Sequence, residues 1–169
     1  MTTTSVFYRL RLTLDDETLD DKLGGGGQFE HIMKGWLLIL EHWWNYCDEH
    51  FIYDKGTAGF ECKDKCGDFC RPHIHIHFDS RIKKDTIVHS LKRHYEEYHG
   101  EKLKGNNMYC LKIDPFPEND QKFFSYPMKQ GGEHHSSGFS EYEIDVFRAA
   151  GAQMYSSTCE INSKKADHR

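Results

Sequence analysis

Residues 72–78 constrain the fold of this chain more than any other segment. They read PHIHIHF, in which histidine alternates with large apolar residues. Successive side chains of a β-strand point to opposite faces of the sheet, so the pattern predicts a strand with one apolar face. The other face then carries a row of imidazoles from His73, His75 and His77. A solvated strand face would more naturally use Thr, Lys or Glu, so we interpret the row as metal-binding.

The whole sequence is typical of one folded domain. Its 169 residues are 37% hydrophobic and 29% charged, which excludes disordered, fibrous and coiled-coil classes. The sequence contains no apolar run long enough to span a membrane and no signal peptide at its start, so the six cysteines are expected to be reduced. With a net charge of −5, any nucleic-acid site must be a local basic patch.

Periodicity and turn signals predict an α+β fold with a central, mainly antiparallel sheet of about five strands and helices packed on it. Strands are predicted over 5–14, 57–65, 70–79 and 107–114, with one more around 50–54. Helices are predicted over 29–47, 85–99, about 120–130 and 141–157. Residues 133–138 are predicted to form a loop, and Ser140 with Glu143 a capping box before the last helix.

A carboxylate is expected to complete the histidine site. If the hairpin before the histidines is centred on Gly67, Glu61 lies opposite His73 and shares its face. If the turn is instead centred between Gly67 and Asp68, the register shifts by one residue and brings Asp64 or Cys62 to that face. We favour Glu61. Two imidazoles and a carboxylate leave positions open for water and phosphate, which suits Mg²⁺ or Mn²⁺, but the same set also suits non-haem iron.

A candidate nucleophile follows from two Tyr-x-x-Lys pairs, Tyr109 with Lys112 and Tyr126 with Lys129. The first pair lies on a predicted strand, where residues three apart face opposite ways. The second lies on a predicted helix, where residues three apart share a face. We therefore predict that Tyr126 and Lys129 act together, with the tyrosine as a nucleophile on phosphorus.

These segments together resemble the HUH endonucleases, the origin-nicking domains of Rep proteins from circular single-stranded DNA viruses. Residues 12–16, LTLDD, resemble the first family motif. Residues 71–75, RPHIH, resemble the second, and 125–131, SYPMKQG, resemble the third. Residues 59–61, GFE, resemble the segment that carries the acidic metal ligand. The resemblance extends from about residue 7 to 155.

The resemblance implies an RRM- or ferredoxin-like nuclease fold and a metal-dependent chemistry. A divalent ion, Mg²⁺ or Mn²⁺, would be held by Glu61, His73 and His75. Tyr126 would attack single-stranded DNA, with assistance from Lys129, and remain attached to the 5′-phosphate. The free 3′ end would then start rolling-circle replication.

The resemblance also implies partners and a location. Single-stranded DNA at a viral origin would contact Arg9, Arg11 and His77, and a helicase domain absent from this chain would complete the initiator. The host nucleus would be the site of action for a virus of eukaryotes. We assign 1–157 to the nuclease domain and 158–169 to a polar tail.

Two other functions compete with this interpretation. His75, His77 and Asp79 match part of an iron site in a cupin-like oxygenase, a fold that needs many short strands. A zinc-stabilised DNA-binding module is the second alternative, because three cysteines recur at intervals of four: Cys62, Cys66 and Cys70.

Overall fold

A computed structural model describes residues 5–13, 29–50, 52–63, 69–100, 102–103, 110–116, 121–129 and 134–166. Its strands are β1 Val6–Leu12, β2 Lys55–Lys63, β3 Phe69–Ser80, β4 Leu111–Phe116 and β5 His134–Ser137. Its helices are α1 Phe29–Glu49, α2 Lys84–His99, α3 Gln121–Ser125 and α4 Glu141–Ala166. A 3₁₀ turn, Tyr126–Met128, follows α3 directly.

The strands form one antiparallel sheet in the order β4-β1-β3-β2-β5. The predicted α+β fold is therefore confirmed, and its sheet is consistent with an RRM-like domain. The histidine strand β3 occupies the centre of the sheet. The described strands form one five-stranded sheet, whereas a cupin is a sandwich of many short strands, and the cupin-type oxygenase stays an untested alternative.

One face of the sheet is the main hydrophobic core. Ile74, Ile76 and Phe78 of β3 point to this face and are completely buried. Side chains from α1 and α2 cover them and are equally inaccessible: Trp36, Trp43, Ile87 and Leu91. The core role that periodicity predicts for the tryptophans of α1 is confirmed, since large apolar side chains at 3- and 4-residue spacing form one stripe of a helix.

The opposite face carries a smaller apolar cluster beside the polar row. The residues of this cluster come from α3, the 3₁₀ turn and α4: Phe123, Phe124, Met128 and Phe147. Phe7 of β1 contacts the cluster through edge-to-face rings, with centroids 5.5 Å from that of Phe123 and 6.0 Å from that of Phe124. These contacts hold α3 and the following turn close above the histidines.

The fifth strand lies elsewhere than predicted. Residues 52–54 are not a strand, whereas His134–Ser137, predicted as a loop, pairs with the outer edge of β2. This strand has no apolar alternation, so its side chains gave no signal, and its pairing is made by the backbone. Arg148 of α4 also contacts it, with its Nη2 2.8 Å from Nε2 of His134.

Two helix predictions need correction. The helix predicted near residues 120–130 is a short α-helix that tightens into a 3₁₀ turn, because Pro127 has no N–H for a continuing α-helix. The last helix continues to Ala166, so residues 158–166 of the predicted polar tail are helical. After Gly151 no glycine or proline interrupts that helix.

Two other predicted features are only partly visible. Within the described residues, no helix combines the length and apolar character needed to cross a membrane. Cys62 is buried in the main core, whereas Cys66 lies outside the described residues. The side chain of Cys70 is likewise not described, so the zinc alternative stays an untested prediction.

The predicted capping box at the start of α4 is confirmed. The N–H of Glu143 donates to Oγ of Ser140 at 3.2 Å, and the N–H of Ser140 donates to Oε1 of Glu143 at 3.1 Å. We expect Ser140→Ala to lower the free energy of unfolding by about 1 kcal/mol, because an N–H at the helix start loses its acceptor. Denaturant unfolding would measure this loss, and Ser140→Thr should retain most of the stability. Equal stability of the alanine variant and the wild type would contradict the role of the cap.

Candidate metal and tyrosine site

The predicted ligand set comes together on the polar face of the sheet. Glu61 of β2 pairs with His73 of β3, as predicted, although the register shifts between Glu61 and Lys63, where Lys63 pairs with Phe69. The Oε2 atom of Glu61 lies 3.1 Å from Nε2 of His73 and 2.7 Å from Nε2 of His75. One ligand atom from each of the three residues fits within 4.8 Å of the others. The predicted register is confirmed. Asp64, the alternative ligand, lies outside the described residues.

The donor set fits a divalent metal ion. Glu61 and His75 are both 8% exposed, and the His73 side chain is 19% exposed. The group is therefore largely buried but still accessible to solvent through His73. Burial lowers the pKa of His75 to about 4, which leaves its imidazole neutral near pH 7 and able to donate a lone pair. Two nitrogens and one carboxylate oxygen suit several divalent ions, so the chemistry of the set supports a metal without selecting one.

Lys129 is a fourth member of this cluster. Its Nζ lies 2.7 Å from the same Oε2 of Glu61, and its side chain is only 7% exposed. The same Nζ lies 3.5 Å from the centroid of the Tyr126 ring. Tyr126 and Lys129 are therefore brought together as predicted, although by a 3₁₀ turn instead of an α-helix. Tyr109, in the rejected pair, lies outside the described residues.

Tyr126 is the exposed member of the cluster. It is 38% exposed, while the residues around its ring are buried. The His77 ring lies nearly parallel to it, with centroids 5.4 Å apart and an angle of 8°. The His75 ring meets it at 87° with centroids 5.0 Å apart. One parallel imidazole and one perpendicular imidazole therefore hold the ring, while the tyrosine remains accessible from the cleft.

His77 supports the tyrosine turn. Its Nδ1–H donates to the carbonyl oxygen of Phe123 at 2.6 Å, and the hydroxyl of Thr57 donates to that of Phe124 at 2.7 Å. These carbonyls lie at the end of α3, where a helix lacks internal donors. Only 3% of His77 is exposed, and its contact with DNA stays a prediction. Thr57 was not predicted, although it shares a strand face with Glu61.

Two glycines allow the turn to approach the elements on both sides. A Cβ on Gly59 of β2 would lie 1.8 Å from the carbonyl oxygen of Pro127. A Cβ on Gly151 of α4 would lie 2.7 Å from the carbonyl oxygen of Ser125. Both glycines are therefore required by close backbone contact. A glycine inside the strand was the only sequence signal for this contact.

A cleft of about 830 Å³ opens beside Tyr126. Arg9 and Arg11 line it, because they pair with His77 and His75 across β1 and β3 and so share their face. Lys112 and Lys122 also line the cleft and were not predicted. Their side chains lie on strand β4 and helix α3, and only the fold brings them to the arginines. The cleft is a local basic patch on an acidic chain.

The first predicted motif is partly described. The hydroxyl of Thr13 donates to the carbonyl oxygen of Pro72 at 2.9 Å, which joins the end of β1 to the start of the histidine segment. Residues 14–16 lie outside the described residues.

Comparisons of the chain with protein-family models, with curated proteins and with solved structures found no match.

We expect Glu61→Gln to weaken Mn²⁺ binding by roughly tenfold or more, or about 1.4 kcal/mol per tenfold change, because a neutral amide replaces the only carboxylate of the ligand group. Electron paramagnetic resonance of free Mn²⁺ would measure the affinity. Asp114→Asn is the matched control, since Asp114 lines the same cleft outside the ligand group. Equal effects of the two substitutions would show that Glu61 has no special role.

We expect Lys129→Met to strengthen Mn²⁺ binding by about tenfold or more. The ammonium neutralises Glu61 at the point where a metal would interact with it, so binding must overcome this cation. Lys129→Arg retains the charge and should leave the affinity nearer to that of the wild type. Weaker binding by the methionine variant would show instead that Lys129 helps to hold the ligand group in place.

Proposed function

We propose that this protein is a metal-dependent endonuclease and strand transferase that acts on single-stranded DNA. One observation carries the proposal: an accessible tyrosine lies against a largely buried Glu-His-His group and lines a basic cleft. The ring of Tyr126 contacts that of His75, and Lys129 joins the tyrosine to Glu61. A tyrosine that only packs in the core would have no reason to keep an accessible phenol or to lie beside a group of metal-ligand side chains.

The reaction would exchange one phosphate ester for another. The Oη atom of Tyr126 loses its proton and forms a bond to the phosphorus, while the bond from phosphorus to the 3′-oxygen breaks. The departing 3′-oxygen takes up one proton and becomes a free 3′-hydroxyl. A divalent metal at Glu61, His73 and His75 would polarise the phosphate. The Lys129 ammonium, positioned over the tyrosine ring, would assist the attack through its positive charge. Attack by a later 3′-hydroxyl reverses the exchange, so no energy source is required.

The cleft provides the binding surface for the strand. Arg9, Arg11, Lys112 and Lys122 are positioned to bind phosphates on the approach to Tyr126. Phosphate contacts position a strand without reading its sequence, so recognition of an origin would need further contacts to bases. Nicking of a viral origin, cooperation with a helicase and action in the host nucleus belong to this proposal through the resemblance to Rep proteins.

The test is covalent capture. We expect the wild-type protein with Mn²⁺ and a pool of single-stranded oligonucleotides to form a protein–DNA adduct that survives SDS. Tyr126→Phe should abolish the adduct while DNA binding persists, because the substitution removes only the nucleophilic oxygen. Tyr142→Phe is the matched control, since Tyr142 is exposed on α4 away from the ligand group.

Metal dependence gives the second arm of this test. We expect EDTA or His75→Ala to prevent adduct formation, and Mn²⁺ or Mg²⁺ to restore it after EDTA. An adduct that persists in Tyr126→Phe would contradict the assigned nucleophile. Absence of any adduct with the wild-type protein, combined with Fe²⁺-dependent oxygen consumption, would replace the nuclease proposal by an iron-dependent oxidation at the same three ligands.

A further inference from the structure

A second histidine pair lies between α1 and α2, on the side of the sheet opposite the tyrosine. The Nε2 atom of His42 in α1 is 2.8 Å from the Nε2 atom of His94 in α2. The two rings are nearly coplanar, at 12° to each other. Their nitrogens therefore face each other across the helix interface, and neither residue belongs to the basic cleft.

Aromatic neighbours fix both rings. Tyr98 stacks on His42 with centroids 3.6 Å apart, and Tyr46 stacks on His94 with centroids 3.7 Å apart. The Tyr46 hydroxyl lies 2.8 Å from Oγ of Ser90, which anchors that ring from one helix to the other. Rings held in this way have little rotational freedom to lose when they bind a ligand.

The separation of the nitrogens is close to what a bridging metal requires. Tetrahedral Zn²⁺ with Zn–N bonds of 2.0–2.1 Å places two imidazole nitrogens about 3.3 Å apart. The present 2.8 Å is a hydrogen-bond distance, so to bind one ion the two rings would separate by about 0.5 Å and tilt until both lone pairs point at it. Burial lowers the pKa of His94 to about 4 and also lowers that of His42, so both imidazoles are neutral near pH 7.

The surroundings leave room for the other ligands of an ion. The pair borders an open recess of about 810 Å³ that is also lined by Glu49, His50 and Glu97. The charge of the Glu49 carboxylate raises the pKa of His42, which offsets part of the lowering caused by burial. Water can occupy the remaining coordination positions from the open side. Arg93 also lines the recess and pairs with Glu97, with its Nε 3.0 Å from Oε1, so Glu49 is the acidic residue of the recess that favours a cation near His42.

We propose that His42 and His94 form a second metal site, which binds a divalent transition ion with a preference for imidazole, such as Zn²⁺, and bridges α1 to α2. The site does not depend on the proposed nuclease function. Because both helices cover the main core, an ion bound here stabilises that side of the domain. A hydrogen bond between two neutral imidazoles is the competing explanation of the short contact.

The experiment uses Zn²⁺ and the full chain. Equilibrium dialysis should show that His42→Gln and His94→Gln each bind one equivalent fewer than the wild type. His89→Gln is the matched control, because His89 lines the same recess but lies outside the pair, and it should bind as many ions as the wild type. Equal stoichiometry in all four proteins would overturn the proposal.

A measurement on the wild-type protein keeps the test independent of variant folding. Paramagnetic Ni²⁺ should broaden the NMR signals of the Tyr46 and Tyr98 rings, which stack on the pair, and the same broadening should appear in Glu61→Gln. Rings that stay sharp at Ni²⁺ concentrations that occupy other sites would show that the pair is only hydrogen-bonded. Because Glu61→Gln impairs only the first site, failure of the nuclease proposal would leave this result unchanged.

Discussion

The alternation along β3 couples the core to the site. Ile74, Ile76 and Phe78 fill the main core from one face of this strand, while His73 and His75 present their imidazoles from the other. A shift of one residue in its pairing would expose the apolar set and bury the histidines in the core. The burial of apolar surface fixes the pairing of β3 and therefore also fixes the positions of the imidazoles in the ligand group.

The buried charge of Glu61 then organises the polar face. A carboxylate that is 8% exposed is costly unless donors surround it, and here two imidazoles and the Lys129 ammonium approach one of its oxygens. The same oxygen is needed by a divalent ion. Lys129 and a bound ion would thus be alternative partners of one charge, which would link metal occupancy to the position of the lysine beside Tyr126.

The sequence was informative where a local pattern reflects a strong physical preference. Strand alternation and hairpin symmetry predicted the pairing of Glu61 with His73, and helical spacing predicted the buried tryptophans of α1. Contacts between distant segments left no local pattern. Lys122 enters the cleft only because α3 packs over the sheet, and β5 pairs through its backbone without an apolar repeat. The histidine pair of α1 and α2 was missed for the same reason, since its members are 52 residues apart.

The position of Tyr126 depends on three separated parts of the chain. On the sheet side, Gly59 of β2 leaves room for the carbonyl oxygen of Pro127. His77 of β3 donates a hydrogen bond to the carbonyl oxygen of Phe123, which precedes the turn. From above, Gly151 of α4 allows the helix backbone to contact the same turn. A nucleophile must be held within a fraction of an ångström of its productive geometry. A short 3₁₀ turn cannot provide this alone, so the reactivity proposed for Tyr126 would depend on folding of the sheet and on docking of the last helix.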